Sequence, residues 1–358
     1  MRKLLISGER ADFTTLALDL DRKELSILAN YAAPFNASWV ELSSSQGSID
    51  RLVGLSEGNE SGLLYIFEID HAQKTCKITS QQPTMGAPGH FTTLRDGSAL
   101  ALATYLGGSV AIYPISHVGT KTLLLKDVRR TEILPKFPYE SVGQDLGSDR
   151  VWILHRDGME LDICGWLQCP PGTGPRHAVL TPDETVIYVI GELSHTVLAF
   201  DLSDGPAEAV PPIDNFAPNI IPPTVHPDHQ SMMDSAELCL HPSIPNVLYV
   251  SNRWERHISQ REPQLRNVPK DIPPGDDVAI ILLSDDGRKV EAMKHVRTNV
   301  DVIRGMRLSN DGKYVVVVGQ EGGGVEVYEI SGVKGDVWTL VASLKKGLES
   351  GIKHAIWL

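Results

Sequence analysis

The sequence has few cysteines and no long hydrophobic run. The four cysteines are Cys76, Cys164, Cys169 and Cys239. The spacing of Cys164 and Cys169 matches neither a CxxC redox motif nor a zinc-ligand pair, and 358 residues can bury a core without disulfides, so we expect free thiols and a cytoplasmic protein. The apolar stretch Leu4 to Ile6 is too short for a signal peptide, and no segment approaches the ~20 apolar residues of a membrane-spanning helix.

Positive charge is also scarce. The chain has 33 Lys and Arg against 45 Asp and Glu, which gives a net charge of −12. This deficit argues against a nucleic-acid-binding surface but leaves room for a local basic pocket that binds a small anion. With 42% hydrophobic and 22% charged residues, the composition is that of a globular chain and excludes a disordered one. We therefore expect neither a nucleic-acid nor a membrane partner.

A short β-rich segment recurs seven times along the chain. Each copy alternates partly between apolar and polar residues, as a half-buried strand does. The last residues of successive copies are separated by 49, 46, 41, 46, 81 and 47 positions. The copies are TTLALDL (14–20), LLYIFEI (63–69), SVAIYPI (109–115), RVWILHR (150–156), TVLAFDL (196–202), DVAIILL (277–283) and GVEVYEI (324–330).

The spacing of the repeat predicts the architecture. A second apolar strand precedes most copies, and Pro-Asp or Asn-Asp-Gly turns separate several of the earlier strands. Three or four strands per ~46 residues, repeated seven times, predict an all-β fold: a seven-bladed β-propeller with four-stranded antiparallel blades. We expect residues 1–358 to form this single domain, and the terminal segments KLLISG and IKHAIWL to pair and close the ring.

Three stretches depart from the repeat. Residues 204–233 and 255–276 are polar and rich in proline, and they predict two long loops of the kind that often carries function. The third stretch is short. Only TEILPKFPYESVGQ (131–144) is available where an inner strand, a turn and the next strand should fit, so we expect blade four to be shortened.

Two pairs of short motifs are more specific than the repeat. GPRH (174–177) is followed by a Glu-Leu-Ser turn, and AE (236–237) is followed by a Ser-Asn-Arg turn. With GAPGHF (86–91) and IRGM (303–306), they resemble the seven-bladed-propeller lactonases, which include propeller-type 6-phosphogluconolactonases and fungal carboxy-cis,cis-muconate cyclases. The resemblance implies lactone chemistry, either ring opening by water or, in the cyclases, ring closure.

The resemblance and the chemistry together nominate four catalytic candidates. Lactones of this family carry carboxylate or phosphate, which the planar guanidinium fork of Arg binds well, and ring opening needs a base and a stabilised oxyanion. Arg176, Glu192 and Arg253 match the proposed site of the muconate cyclases. We assign both arginines to anion and oxyanion binding. Glu192 is the first candidate for general acid–base catalysis, and Glu237 is the second. Structural ion pairs between blades are the alternative.

Three further residues are candidates for substrate binding. His90 and His177 occupy matching points of two predicted inner strands, and Arg304 lies on a third. Imidazoles packed in the core are the alternative for the two histidines. We expect Tyr105 near the channel rim and Trp39 in the core.

The sequence gives no strong sign of a cofactor. His226, Asp228 and His229 fit no strong metal motif, so we predict no metal, although calcium in other propeller lactonases keeps that ion as an alternative. The muconate cyclases place a site histidine before DLGSDRV, where this chain has FPYESVGQ with Tyr139 and Glu140.

The leading hypothesis is a lactonase that hydrolyses an anionic sugar-acid-type lactone and resembles 6-phosphogluconolactonase. Its partner is then a small anionic lactone or carboxylate. The alternatives are a lactonising isomerase similar to the muconate cyclases, against which the absent histidine argues, and a non-catalytic propeller scaffold.

Overall fold

The described residues form seven β-sheets, numbered here in chain order. The structure is a computed structural model that describes residues 1–105, 108–118, 121–124, 132–133, 149–158, 160–205 and 207–358. All the pairings within the sheets are antiparallel. No helix in this part of the chain is long and apolar enough to cross a membrane.

Four sheets have four strands each, given from the innermost strand outwards. Sheet 1 consists of β26 (Ile352–Trp357), β1 (Arg2–Gly8), β2 (Asp12–Asp19) and β3 (Glu24–Ala32). Sheet 2 consists of β4 (Ala37–Gln46), β5 (Ile49–Ser56), β6 (Ser61–Asp70) and β7 (Thr75–Met85). Sheet 6 consists of β18 (Asp234–Leu240), β19 (Val247–Arg253), β20 (Asp277–Leu283) and β21 (Val290–Arg297). Sheet 7 consists of β22 (Asp301–Leu308), β23 (Tyr314–Gly322), β24 (Val325–Ser331) and β25 (Val337–Leu344).

The other three sheets differ in strand number. Sheet 3 consists of β8 (Pro88–Thr93), β9 (Ala99–Thr104), β10 (Val110–Val118), and two short strands that both pair with β10, β11 (Lys121–Leu124) and β12 (Glu132–Ile133). Sheet 4 consists of β13 (Arg150–Asp157) and β14 (Glu160–Gln168). Sheet 5 consists of β15 (Pro175–Leu180), β16 (Val186–Gly191) and β17 (Val197–Asp201). The predicted shortening of blade four concerns residues 131–144, most of which lie outside the described residues.

The sevenfold repeat marks one equivalent strand in every sheet. Its copies coincide with β2, β6, β10, β13, β17, β20 and β24. Where four strands are present, this is the third strand from the inside, and it is largely buried because sheets pack on both of its faces. The strand prediction for the repeat is confirmed.

The sheets stand around a common centre, as the blades of a propeller do. The innermost strands β4 and β8 contact each other, as do β15 and β18, β18 and β22, β22 and β26, and β26 and β4. The predicted closure is also confirmed, since the last strand pairs with the first through Leu5 with Ile356 and Ile6 with Ala355. The fold is therefore an all-β propeller whose ring joins the two ends of the chain.

Apolar side chains fill the space between neighbouring sheets. Between sheets 6 and 7, for example, Tyr249 and Ile280 pack with Val315 and Val317, and all four are fully buried. The Tyr249 hydroxyl donates a hydrogen bond of 2.8 Å to the carbonyl of Gly335, a turn residue of sheet 7 with φ of 65°. Sheet 5 reaches sheet 6 in the same way, because the Tyr188 hydroxyl donates 2.8 Å to the carbonyl of Gly287.

The two long inserted segments contain short helices, which the loop prediction missed. A 3-10 helix spans Pro227–Met232, and α1 spans Glu255–Arg261. Helix α1 stops where Pro263 follows, because proline disfavours helical geometry in the preceding residue. The buried Ile258 of α1 packs against apolar residues of the other segment, so the two segments share a small apolar cluster.

Candidate active site

Each innermost strand that the structure describes carries a β-bulge near its start. The register shifts between Ala37 and Trp39, Pro88 and His90, Pro175 and Ala178, Ser235 and Leu238, and Ile303 and Gly305, and opposite Ser7 and Gly8 on β26. In a regular strand, consecutive side chains point to opposite faces, whereas a bulge re-aims them. Consecutive residues such as Arg176 and His177 can therefore line the same cavity, and both do.

Three predicted residues form one buried ion-pair cluster. Glu192 follows β16 and accepts hydrogen bonds from Arg176 Nη1 at 3.2 Å and from Arg253 Nη2. Two backbone carbonyls fix the arginines, since Arg176 Nε donates to Ala236 O at 3.1 Å and Arg253 Nη2 to Ser235 O at 2.9 Å. Burial opposes ionisation of Glu192, but the two guanidiniums outweigh it and lower its pKa. The cluster thus holds two cations around one carboxylate.

A second pair couples His177 to Glu237. His177 Nε2 lies 3.4 Å from Glu237 Oε1, and Glu237 is only 6% exposed. Burial would raise the pKa of Glu237, but His177 and then Arg176 lower it to about 2. Glu237 is therefore a carboxylate at neutral pH, and it faces the imidazole from behind the cavity.

Below the arginines, one indole and three imidazoles fill the centre of the ring. The Trp39 ring centroid lies 4.3 Å from that of His90, 4.3 Å from that of His354 and 5.7 Å from that of His177. Burial lowers the pKa of His90 and of His354 to about 3 each, so both are neutral at physiological pH. The prediction of Trp39 as a buried residue is confirmed, but it packs in the central channel.

Arg304 forms a separate ion pair in the cavity wall. Its Nη2 donates a hydrogen bond of 3.3 Å to Glu57 Oε2, the one acceptor for this guanidinium within the described part of the chain. Burial, and then the positive charge of Arg176, lower the pKa of Arg304 to about 10. Arg304 therefore remains a cation at neutral pH.

A cavity of about 410 Å³ brings most of the predicted residues together. This volume suits a small-molecule ligand. Five of the seven predicted residues line it, namely His90, Arg176, His177, Glu192 and Arg304. Arg253 and Glu237 are not among the lining residues, and they contact the cavity wall through Glu192 and His177. Tyr105 lines the cavity as well, consistent with its predicted place near the rim.

Sequence reasoning missed two polar residues of this region. Glu57 lines the cavity beside Arg304, and His354 packs on Trp39 in the channel. Comparing the bulged segments ASW, PGH, PRH, SAE, IRG and IKH with one another would have placed His354 in register with His90 and His177. Glu57 follows β5 and gives no comparable signal.

His226, Asp228 and His229, for which the sequence predicts no metal, lie at the 3-10 helix. His226 Nδ1 lies 3.5 Å from Asp228 Oδ2 at the start of the 3-10 helix, where its side chain accepts the Asp228 backbone N–H. Throughout the described ranges, no group of three or more His, Cys, Asp and Glu side chains is arranged to hold a metal ion. The segment with Tyr139 and Glu140 lies outside the described residues.

Fold and cavity together define a propeller with a cavity that Arg176 and Arg304 line. The sequence matches the family described as "Lactonase, 7-bladed beta-propeller" over residues 6–133 and 140–351, which is nearly the whole chain. The protein therefore belongs to this lactonase family.

Individual relatives agree with this assignment. The 6-phosphogluconolactonase of Erwinia tasmaniensis is 24% identical over 286 residues, covering 75% of this chain and 74% of the relative. The 6-phosphogluconolactonase of Yersinia pestis is 24% identical over 279 residues, covering 74% of this chain and 73% of the relative.

Two solved structures share the fold. The periplasmic gluconolactonase of Pseudomonas aeruginosa superimposes with a TM-score of 0.74 at 17% identity, over 100% of this chain and 99% of that one. A protein from Lactobacillus plantarum superimposes with a TM-score of 0.75 at 19% identity, over 100% of both chains.

Proposed function

We propose that this protein is a lactonase that hydrolyses an anionic lactone of the sugar-acid type, with 6-phosphogluconolactone as the first substrate to test. The observation that carries the proposal is the convergence of Arg176 and Arg304 with the imidazole of His177 on one small cavity. Membership of the lactonase family and relatives named 6-phosphogluconolactonase support the reaction class.

We assign each residue a role in catalysis from its position in the cavity wall. Arg176 lines the cavity, so we assign it to the carbonyl oxygen, where negative charge develops as water adds. Arg304 also lines the cavity, and within the described residues its guanidinium donates to Glu57 alone, so we assign it to the remote anionic group of the substrate. His90 contacts the substrate as a neutral imidazole. Arg253 acts through Glu192, which it helps to hold between the two arginines.

The proposal extends to the architecture and to the setting of the protein. Each of the seven sheets is one blade, sheet 4 is the shortened fourth blade, and residues 1–358 form one domain. The protein acts in the cytoplasm on a small molecule and has no nucleic-acid or membrane partner. The net charge of −12 supports this, since it disfavours polyanionic surfaces.

The test is a kinetic screen of the purified protein against a panel of lactones. We expect the protein to accelerate the opening of 6-phosphogluconolactone, which is measured as the release of acid. We expect Arg176→Ala to lose this activity. Arg22→Ala is the matched control, because the Arg22 side chain is 79% exposed and its one ion pair among the described residues is with Asp19 at 3.8 Å. Equal rates with and without protein across the panel would exclude a lactonase. Loss of absorbance from 3-carboxy-cis,cis-muconate would identify the isomerase alternative instead.

A further inference from the structure

Lactone hydrolysis requires a group that takes a proton from the attacking water, and two of the carboxylates here are poorly placed for it. Both oxygens of Glu192 already accept hydrogen bonds from guanidiniums, which stabilise its ionised form. Glu237 does not line the cavity, and its ion-pair partner among the described residues is the imidazole of His177. Glu192 therefore positions the two arginines, and the base must lie elsewhere.

His177 has the position that a base needs. It lines the cavity next to Arg176, because the bulge between Pro175 and Ala178 turns both side chains to the same cavity. Its Nε2 lies 3.4 Å from the Glu237 carboxylate. An Nε2–H directed at that carboxylate leaves the lone pair on Nδ1, so the dyad fixes the tautomer and stabilises the imidazolium that forms on proton transfer.

We propose that His177 is the general base of the lactonase reaction and that Glu237 is its positioning residue. This inference rests on the proposed lactonase function. His177 accepts a proton as the water oxygen bonds to the lactone carbonyl carbon, and Arg176 stabilises the resulting oxyanion. When the tetrahedral intermediate collapses, the bond to the ring oxygen breaks and that oxygen takes the proton from His177. One water is consumed, and the hydroxy acid that forms releases its carboxyl proton to solvent and leaves as the carboxylate.

The charged and titratable groups around His177 determine how well its imidazolium is stabilised during proton transfer. Within the described ranges, they include Glu237 behind it, Arg176 beside it, His90 with its ring centroid 5.4 Å away, and His354 and Arg307 on Trp39. The carboxylate of Glu237 stabilises the positive charge of the imidazolium, whereas the two guanidiniums oppose it. Removing the negative charge of Glu237 therefore raises the barrier to proton transfer and lowers kcat.

The experiment compares kcat, KM and pH profiles of four proteins on 6-phosphogluconolactone. We expect His177→Asn to lower kcat by roughly 10²- to 10⁴-fold and to abolish the acid limb of the profile. Glu237→Gln retains the side-chain shape and should lower kcat by less than His177→Asn does, with little change in KM. His71→Asn is the matched control. It also removes an imidazole paired with a carboxylate, that of Asp50 at 2.6 Å, but His71 does not line the cavity, so we expect kcat close to that of the wild type.

A purely structural role for His177 predicts a different pattern. His177→Ala tests it, because free imidazole restores activity only when the missing group transfers a proton, and thermal unfolding shows whether the variant is folded. An unchanged acid limb in His177→Asn, or no rescue of a folded His177→Ala by imidazole, would overturn the inference while leaving the lactonase proposal intact. An inactive wild type on every lactone would instead remove the proposed function itself.

Discussion

The indole of Trp39 packs against the imidazole of His354, with the ring centroids 4.3 Å apart. The contact joins β4 of sheet 2 to β26, the last strand of the chain. The guanidinium of Arg307, from sheet 7, lies 5.0 Å from the centroid of the Trp39 ring. Trp39, His354 and Arg307 together form a plug of side chains at the centre of the ring. Three sheets are thus held together through a single indole at the centre of the ring.

We predict that Trp39→Ala lowers the free energy of unfolding by ~3–5 kcal/mol, because it leaves a large cavity among side chains from several sheets. Trp39→Phe retains part of the ring packing and should cost less. Chemical denaturation at neutral pH measures both variants. A loss below ~1 kcal/mol for Trp39→Ala would show that the plug contributes little to closing the ring.

The repeat and the closure of the ring could be predicted from the sequence because they rest on local alternation. Copies such as LLYIFEI and GVEVYEI each mark the same buried strand of their sheet, β6 and β24. The pairing of the two terminal strands followed from the need to cover open sheet edges. The short helix α1 could not be predicted in this way, since seven residues among prolines carry little periodicity.

The composition of the site could be predicted only in part. Period-two alternation places Arg176 and His177 on opposite faces of a strand, and the bulge that brings both to the cavity depends on pairing with β16. The roles of the carboxylates depend on which partners occupy their oxygens. That information lies in contacts between sheets, such as Arg253 with Glu192, and not in any local motif.

The Glu192 carboxylate should contribute strongly to stability as well as to activity. We predict that Glu192→Gln lowers the free energy of unfolding by ~3–5 kcal/mol, because it removes the carboxylate that two buried guanidiniums share and leaves Arg253 with a longer contact of 3.7 Å to Asp234. Lactonase activity should fall with it, since Arg176 loses a hydrogen bond that orients it.

Glu291→Gln provides the matched comparison for this change. Glu291 pairs with Lys334 at 2.9 Å on the surface, where both side chains are about half exposed, and such pairs contribute ~1 kcal/mol or less. Urea unfolding of both variants measures how much unfolding free energy each one loses. Similar losses in the two would mean that the Glu192 cluster is no more stabilising than a surface ion pair.

The neutral histidines of the channel should make the fold sensitive to acid. Burial, and then neighbouring positive charge, lower the pKa of His90 and His354 to about 3, below the ~6.5 of an unfolded histidine. The unfolded chain therefore binds protons that the folded chain does not. Their stabilising effect is complete above about pH 6.5 and is lost as the pH falls towards 3, by up to ~1.4 kcal/mol per pH unit for each histidine.

His354→Asn removes the contribution of one of these histidines to the pH dependence of stability. Its free energy of unfolding, measured by urea denaturation at several pH values between 7 and 4, should fall less steeply than that of the wild type. The difference in slope should approach one proton. Parallel slopes in the two proteins would mean that His354 binds a proton equally well in the folded and unfolded states.

Arg304 should determine affinity for the remote anion of the substrate. Its guanidinium is largely buried and hydrogen-bonded to Glu57 alone in the described part of the chain, so an incoming phosphate or carboxylate satisfies donors that the protein leaves free. Loss of a charged hydrogen bond costs ~1.5–3 kcal/mol, so Arg304→Ala should raise KM for 6-phosphogluconolactone roughly 10- to 150-fold and change kcat little.

Two comparisons separate anion binding from a general effect of the Arg304 substitution. Neutral gluconolactone lacks the remote anion, so its KM should change far less in Arg304→Ala than that of the phosphorylated lactone. Arg304→Lys keeps the charge but not the planar fork, and we expect it to recover only part of the affinity. Equal losses on both lactones, or a fall in kcat without a change in KM, would place Arg304 at the reacting carbonyl instead of at the far end of the substrate.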